Sequence, residues 1–163
     1  MSEISERIQV LGQYLDAGLT PLGQIHLHGQ ASLALLYSSL FVPDVEEVEG
    51  SVLLSWNLSD KQRERFIGAK RSSQDYQFQE LEASYNSVEV SYIFGTAEGR
   101  DLQEEDDVVL AEIIAKAWRG FFKITYPDRY FEVEVLDPDV TQGVVGLRFF
   151  EIRNTSKKDT SLG

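Results

Sequence analysis

Residues 110–135, LAEIIAKAWRGFFKITYPDRYFEVEV, decide the fold because their hydrophobic pattern changes from a helical period to a strand period. In the first part, apolar residues recur at the spacing of one helix face: Leu110, Ile113, Ile114, Ala117 and Phe121. We expect Leu110, Ile113, Ala117 and Phe121 to form the centre of the core. Pro127 prevents the helix from continuing. In the second part, apolar and acidic residues alternate as in a half-buried strand: Phe131, Val133 and Val135 against Glu132 and Glu134.

The chain returns as a last strand over residues 144–152, after the turn residues DPDVTQG at 137–143. An antiparallel hairpin with residues 131–135 is the simplest pairing for this strand. Side chains alternate between the two faces of a strand, so the predicted buried set of Val145, Leu147 and Phe149 places Arg148, Phe150 and Ile152 on the opposite face. The polar residues 154–163 are predicted to form a flexible C-terminal tail.

Patterns nearer the N-terminus predict the remaining elements: helices at residues 4–15, from Ser59 onward and at 76–84, and strands at 48–56 and 88–94. Ser59 and Gln62 have the spacing of a capping box, which marks the start of a helix. Residues 25–41 fit either a strand or a helix, with Gly29 as a natural dividing point, and the pattern leaves this choice open.

These elements predict one α+β domain over residues 1–153. It contains a mostly antiparallel sheet of about four or five strands, with helices packed on one face. The length of 163 residues fits a single domain with a real core.

The charge of the chain restricts its partners. Lys and Arg number 15 against 27 Asp and Glu, which gives a net charge of −12. This excess repels nucleic acid and anionic membranes, and it favours either a basic protein partner or plain solubility. The chain has no cysteine, so disulfides and thiolate chemistry are excluded. The polar start MSEISERIQV has no apolar signal core, and no window approaches a membrane span, so we expect a cytoplasmic protein.

A basic cluster stands against this acidity and could grip a phosphate or an RNA loop: Lys61, Arg63, Arg65, Lys70 and Arg71. Asp60 and Glu64 lie among these residues, and a helix of mixed charges is typical of a solvated face. We therefore predict no nucleic-acid partner.

The stretch QIHLH at residues 24–28 holds both histidines of the chain. On a strand, His26 and His28 would share one face and could begin a zinc or copper site, but such a site needs at least a third ligand. We predict no metal and no cofactor, with the histidines as solvent-facing residues. A small-molecule-binding protein or an enzyme with a pocket involving His26, His28 and Trp118 is the alternative. No local catalytic signature supports an enzyme, although this class stays open.

One pattern indicates a binding surface. If the apolar side of each strand faces the helices, five glutamates point to the opposite sheet face: Glu47, Glu49, Glu89, Glu132 and Glu134. Like charges on neighbouring strands repel, which suggests compensation by an outside partner. Phe150 and Ile152, beside Arg148, would supply an apolar anchor within this rim. A face that is simply wet is the alternative interpretation.

The stretches LFVPDVEEVEGSVLL, NSVEV and LAEIIAKAWRGFFKITYPDRYFEVEV resemble small acidic uncharacterised bacterial proteins of the toxin-immunity type. This resemblance implies a cytoplasmic inhibitor that binds a toxin domain and has no catalysis of its own. It carries over no site residue, because immunity proteins share no common motif. The predicted function is therefore a non-catalytic, acidic protein-interaction domain that binds a basic toxin or another basic protein. A homo-oligomer formed through the sheet face at Phe150 is a further reading.

Overall fold

The computed structural model describes residues 20–74, 77–93, 104–136 and 144–153. The described helices are α1 (Pro21–His28), α2 (Ala31–Phe41), α3 (Asp60–Ser72), α4 (Phe78–Tyr85), α5 (Val90–Ile93) and α6 (Glu104–Thr125). The described strands are β1 (Val45–Val48), β2 (Ser51–Leu54), β3 (Val88–Glu89), β4 (Phe131–Leu136) and β5 (Gly146–Glu151). These strands form a two-stranded sheet, β1–β2, and a three-stranded sheet in the order β3–β5–β4. The predicted α+β fold class is confirmed.

The β4–β5 hairpin organises the larger sheet. Its antiparallel register pairs Val133 with Phe149 and Val135 with Leu147. Val133, Leu147 and Phe149 are buried, as is Val145 just before β5. These residues pack under α6, so the hairpin and its predicted buried set are confirmed.

The buried face of α6 lies one residue away from the predicted face. Its buried apolar members are Ala111, Ile114, Ala115, Trp118 and Phe122. The four residues predicted to form the centre of the core are only half-buried, so that prediction is wrong: Leu110, Ile113, Ala117 and Phe121. Small side chains at Ala111 and Ala115 allow the helix backbone to approach the sheet closely.

Trp118 explains why the helix turns this face inward. Its indole N–H donates to the carbonyl of Leu40 at 2.8 Å, which satisfies the one polar atom of the ring inside the core. The indole also packs edge-to-face on Phe149, with ring centroids 5.7 Å apart. A fully buried tryptophan contributes more apolar area than the isoleucine and alanine positions of the predicted face, so it sets the rotation of the helix.

The prediction of a single strand over residues 48–56 is wrong. The chain reverses at Glu49 and Gly50, whose φ angles are 51° and 77°, and β2 runs back along β1. All four residues of β2 are buried, because the hairpin lies between two apolar clusters. Val52 and Leu54 belong to the main core, whereas Leu53 packs with Val48 and Phe66 in a second cluster under α3 and α4. A strand that is covered on both faces shows no alternation of exposure.

Side chains of α4 and of its C-terminal cap complete two strand edges. Asn86 accepts a hydrogen bond from the Leu54 N–H at 2.9 Å and donates one to the Val52 carbonyl at 3.0 Å. A neighbouring strand would offer β2 the same donor and acceptor. Similarly, the Glu82 carboxylate accepts a hydrogen bond from the Glu151 N–H at 3.2 Å, beyond the end of the short strand β3. Buried backbone groups are thus satisfied without a further strand.

The helices α3 and α4 follow the predicted boundaries closely. Ser59 and Gln62 form the expected capping box at the start of α3. The helix predicted at 76–84 is found at Phe78–Tyr85. The strand predicted at 88–94 is correct only for Val88–Glu89, since Val90–Ile93 forms a helical turn.

The ambiguous residues 25–41 are helical. Thr20 caps α1 by accepting from the Gly23 N–H at 3.2 Å, and Gly29 separates α1 from α2. Other predictions fall outside the described residues: the helix at 4–15, the turn at 137–143 and the tail at 154–163.

Candidate protein-binding surface

The outer face of the three-stranded sheet, opposite α6, is built by the strand register. Glu132 lies directly across from Phe150, and Glu134 lies across from Arg148, so these four side chains share the outer face. Glu89 lies across from Gly146 on the other side of β5 and has the same orientation. The sequence prediction therefore places these five residues correctly.

Ile152 extends the outer face past the end of β5. Its N–H donates to the Tyr130 carbonyl at 2.8 Å, which continues the β4–β5 register by one step. Its side chain is 37% exposed, whereas Phe150 is half-buried. The apolar part of the outer face thus runs from Phe150 to Ile152.

Arg148 organises the charges on the outer face. Its Nε donates to Glu134 Oε2 at 2.8 Å, and its Nη1 lies 3.5 Å from Glu80 Oε2. The guanidinium carbon is 6.0 Å from the centre of the Phe150 ring. Glu80 comes from α4, so no strand pattern in the sequence could assign it to this face. Four carboxylates, including Glu89 and Glu132, therefore surround one guanidinium and one aromatic ring.

Glu89 and Glu132 form no ion pair with any other described residue. Glu89 is exposed and Glu132 is half-buried. No basic side chain in the described ranges pairs with them, so their charges can act on a molecule that approaches the outer face.

The prediction that Glu47 and Glu49 share this face is wrong. They belong to the β1–β2 hairpin and its turn, which form a separate sheet. Each has a basic partner within the chain: Glu47 lies 3.2 Å from Arg129, and Glu49 lies 2.8 Å from Arg71. The sequence argument failed because it treated a hairpin as one strand, so the two residues were assigned to a sheet that they do not join.

A charged junction connects the two sheets with α4: Glu82, Arg129, Glu151 and Arg153. Arg129 donates to both carboxylate oxygens of Glu151, at 2.7 and 3.0 Å, and also to the Gly50 carbonyl at 2.9 Å. Arg153 joins Glu151 at 2.8 Å to the buried carboxylate of Glu82. The junction fixes the β1–β2 turn against the end of β5.

The junction perturbs its ionisable groups. Burial alone would raise the pKa of the Glu151 carboxyl, but the hydrogen bonds and charges of Arg129 and Arg153 outweigh burial and hold this pKa below its usual value. The hydrogen bond with Glu151 raises the pKa of Arg129 in turn. Glu151 therefore remains ionised in a largely buried position.

Three of the five residues in the basic cluster of α3 make contacts within the chain. Arg63 contacts Glu46 at 2.6 Å, and Lys70 donates to the Glu49 carbonyl at 2.7 Å. Burial and the nearby charge of Arg153 lower the pKa of Lys70. Arg63, Lys70 and Arg71 thus hold α3 to the β1–β2 hairpin, and only Lys61 and Arg65 of the cluster are exposed without a hydrogen bond or ion pair to another described residue.

His26 and His28 are exposed residues of α1, so the strand alternative, in which they would share one face, does not apply. Two residues separated by two positions point to different sides of a helix, so the pair does not form a common ligand face. The described residues contain no group of three or more metal-ligating side chains. Trp118, the third member of the alternative pocket, is fully buried in the core.

The described part of the chain forms two open grooves, each with a volume of about 550 Å³. One lies beside Trp56, Val88 and Tyr92. The other lies between the C-terminal part of α6 and β4, beside Arg119 and Lys123. Neither groove contains His26 or His28, so these grooves do not provide the histidine pocket that the sequence left open.

Within the described ranges, none of the helices combines the length and the apolar character that crossing a membrane requires. Comparisons of the chain with protein-family models, with curated proteins and with solved structures found no significant match.

Proposed function

We propose that this protein is a non-catalytic interaction domain that binds a basic protein through the outer face of its three-stranded sheet. The observation that carries the proposal is the arrangement of Glu80, Glu89, Glu132 and Glu134 around Arg148 and Phe150. In its most concrete form, the protein is a cytoplasmic inhibitor of the immunity type, and its partner is a basic toxin domain.

The carboxylates would act first, by attracting a positively charged partner. Opposite charge speeds diffusional encounter, and salt screens it over about 8–10 Å at physiological strength. Glu89 and Glu132 contribute most to this attraction, since they lack a basic neighbour among the described residues.

Phe150 and Ile152 would then hold the complex. Apolar residues that are surrounded by polar ones form the typical centre of an interface, where loss of water makes each contact strong. Arg148 keeps the Phe150 ring in place through the contact between its guanidinium and the ring. A partner that buries Phe150 must therefore accommodate a cation held between two carboxylates, which favours a partner with both acidic and basic groups at the centre of its surface.

The test compares two double variants with equal change in charge. Glu89→Lys with Glu132→Lys alters the outer face, whereas Glu64→Lys with Glu112→Lys alters exposed positions on α3 and α6. Each bait is used to capture partners from the native host, and captured proteins are identified by mass. We expect wild type and the helix variant to retain the same basic protein and the outer-face variant to lose it.

Rate constants for that partner then separate the two steps. Raising salt should lower mainly the association rate constant. Phe150→Ala should raise the dissociation rate constant about 30-fold, which corresponds to about 2 kcal/mol. Equal capture by all three baits, each shown to be folded, would mean that the outer face is only a hydrated surface.

A further inference from the structure

The hairpin of α1 and α2 presents an apolar surface to solvent. Every residue from 25 to 39 is exposed. The exposed apolar side chains range from 40% exposure at Leu33 to 75% at Leu22 and Leu35, and include Ile25, Leu27, Leu36, Tyr37 and Val42. They make up most of the exposed large apolar residues among the described parts of the chain.

Short apolar helices such as α1 and α2 are normally stabilised by packing against other protein surface. A helix that is apolar on all sides is normally buried, and isolated helices shorter than about 12–15 residues are marginal in water. α1 and α2 have 8 and 11 residues, and Leu40 is the one residue of α2 that is buried. Contiguous apolar surface of this kind marks an interaction site on a soluble domain.

The polar groups of α2 do not oppose burial. Ser38 Oγ donates to the Leu35 carbonyl and Ser39 Oγ to the Leu36 carbonyl, both at 2.7 Å. Because these hydroxyl groups already donate to backbone carbonyls of α2, a partner could cover them without leaving a donor unsatisfied. The effective surface is therefore more apolar than its serine content suggests.

Charge indicates what covers the surface. From residue 17 to residue 43 the sequence contains no Asp, Glu, Lys or Arg, although the chain carries a net charge of −12. A basic protein would be attracted to the carboxylates elsewhere, and an interfacial membrane helix normally carries basic residues, which α1 and α2 lack. A second copy of the chain has the same negative charge, so the two copies repel each other wherever both present carboxylates. They can associate only through a surface without carboxylates, and the surface of α1 and α2 is of this kind.

The position of the hairpin suits an exposed interface. Its C-terminal end is fixed to the core, where Leu40 is buried and its carbonyl accepts the Trp118 indole N–H. Phe41 packs against the same core. Residues 31–39 of α2 are exposed, so a second molecule can approach them.

We propose that α1 and α2 pack against the same two helices of a second copy and form a two-fold symmetric dimer. A two-fold interface is self-complementary, and an uncharged apolar surface can pack against its own copy without charge repulsion. The two helices bring 8 and 11 residues from each chain, close to the 20–30 residues per side of a stable interface. This inference does not depend on the proposed partner of the outer face.

The test is sedimentation equilibrium of wild type, Leu35→Glu and the matched control Ile124→Glu. Leu35 is 75% exposed and Ile124 is 82% exposed, and Ile124 belongs to the last turn of α6 and to neither helix of the hairpin. Each substitution occurs twice in a two-fold dimer, so we expect Leu35→Glu to raise the dimer dissociation constant about 100-fold or more. Ile124→Glu should dimerise like wild type.

Salt provides an independent readout. Two chains of like charge repel, so higher salt should strengthen the dimer, whereas it should weaken binding of a basic partner. Cross-linking provides a second independent readout, because the chain has no native cysteine and an introduced cysteine is the only reactive thiol. A single Leu22→Cys, Leu35→Cys or Leu36→Cys chain should be joined by a short bismaleimide, and an Ile124→Cys chain should not.

Two results would overturn the dimer. One is a wild-type monomer at every concentration and salt tested, including a monomer that binds phosphatidylcholine vesicles. The other is a dimer that Leu35→Glu leaves intact and whose cross-linking does not favour the hairpin positions.

Discussion

The α1–α2 hairpin and the charged junction distribute their residues in opposite ways. The hairpin exposes leucines and carries no charge, whereas the junction buries the carboxylate of Glu82 beside Glu151 and two arginines. The comparison shows that a side chain's interaction partners, as well as its polarity, determine whether it can be buried or exposed. Charges are tolerated inside when each has opposite charges and hydrogen bonds, whereas exposed leucines that no described residue covers favour an interaction partner.

The largest effect is expected when an unpaired charge is placed in the buried core and, for comparison, on the α1–α2 hairpin. Ile114→Asp should abolish folding, because an unpaired charge in the core costs several kcal/mol and Ile114 is 1% exposed. Leu35→Asp should leave the chain folded. Circular dichroism and urea unfolding measure both. A cooperatively folded Ile114→Asp protein would show that the rotation of α6 is not as described.

The second-largest effect on stability is expected from Asn86, whose uncharged side chain bonds two buried backbone groups of β2. Asn86→Ala removes the side chain that bonds the Leu54 N–H and the Val52 carbonyl, so two buried backbone groups lose their partners. We expect a loss of about 2–4 kcal/mol in the free energy of unfolding. Asn57→Ala is the control, since Asn57 bonds carbonyls in a half-buried position and should lose less. Equal losses would mean that closing the edge of β2 adds nothing.

The junction predicts a smaller, pH-dependent effect. A carboxyl whose pKa is lowered by folding stabilises the chain above its unfolded-state pKa, here about 4.5, and this stabilisation is lost as pH falls through the lower, folded-state pKa. Glu151→Gln should therefore be less stable than wild type at neutral pH. The difference in unfolding free energy should narrow as the pH is lowered below 4.5.

Urea unfolding at a series of pH values measures this difference directly. Glu64→Gln, an exposed position on α3, is the control and should show almost no difference at any pH. A difference between Glu151→Gln and wild type that stays constant from neutral to acid pH would contradict the assigned ion pairs.

The smallest expected effect sharpens the comparison from the other side. Leu36→Ala on the hairpin should change the unfolding free energy of the monomer by no more than about 0.5 kcal/mol, because the side chain is 64% exposed. At high protein concentration, the difference in unfolding free energy between Leu36→Ala and wild type should become larger. Dimerisation stabilises wild type by mass action, and the variant dimerises less well. An equal difference at both protein concentrations would show that Leu36 does not contribute to self-association.

The sequence predicted the parts of the fold that have one covered face. The β4–β5 hairpin has a clean alternation, so its register and the outer-face positions of Glu132, Glu134, Arg148 and Phe150 followed from parity. The β1–β2 hairpin has no such alternation because both faces of β2 are covered, and Glu47 and Glu49 were assigned to the wrong sheet.

Other features depend on long-range contacts. The rotation of α6 is set by the bond between Trp118 and Leu40, which lie far apart in sequence, and Glu80 reaches the outer face from a different helix. No local pattern encodes either contact. The charge-free run from residue 17 to residue 43 was readable in the sequence, and its significance became clear only with the exposure of both helices.

The closure of β2 by Asn86 also bears on aggregation. An open strand edge is a template for pairing with other chains, and proteins usually protect it with a further strand, a bulge or a charge. Here the protection rests on one amide group. A single substitution at Asn86 would leave unpaired the edge of a strand whose sequence, SVLL, is uncharged and mostly aliphatic. Loss of this side chain therefore threatens solubility as well as stability.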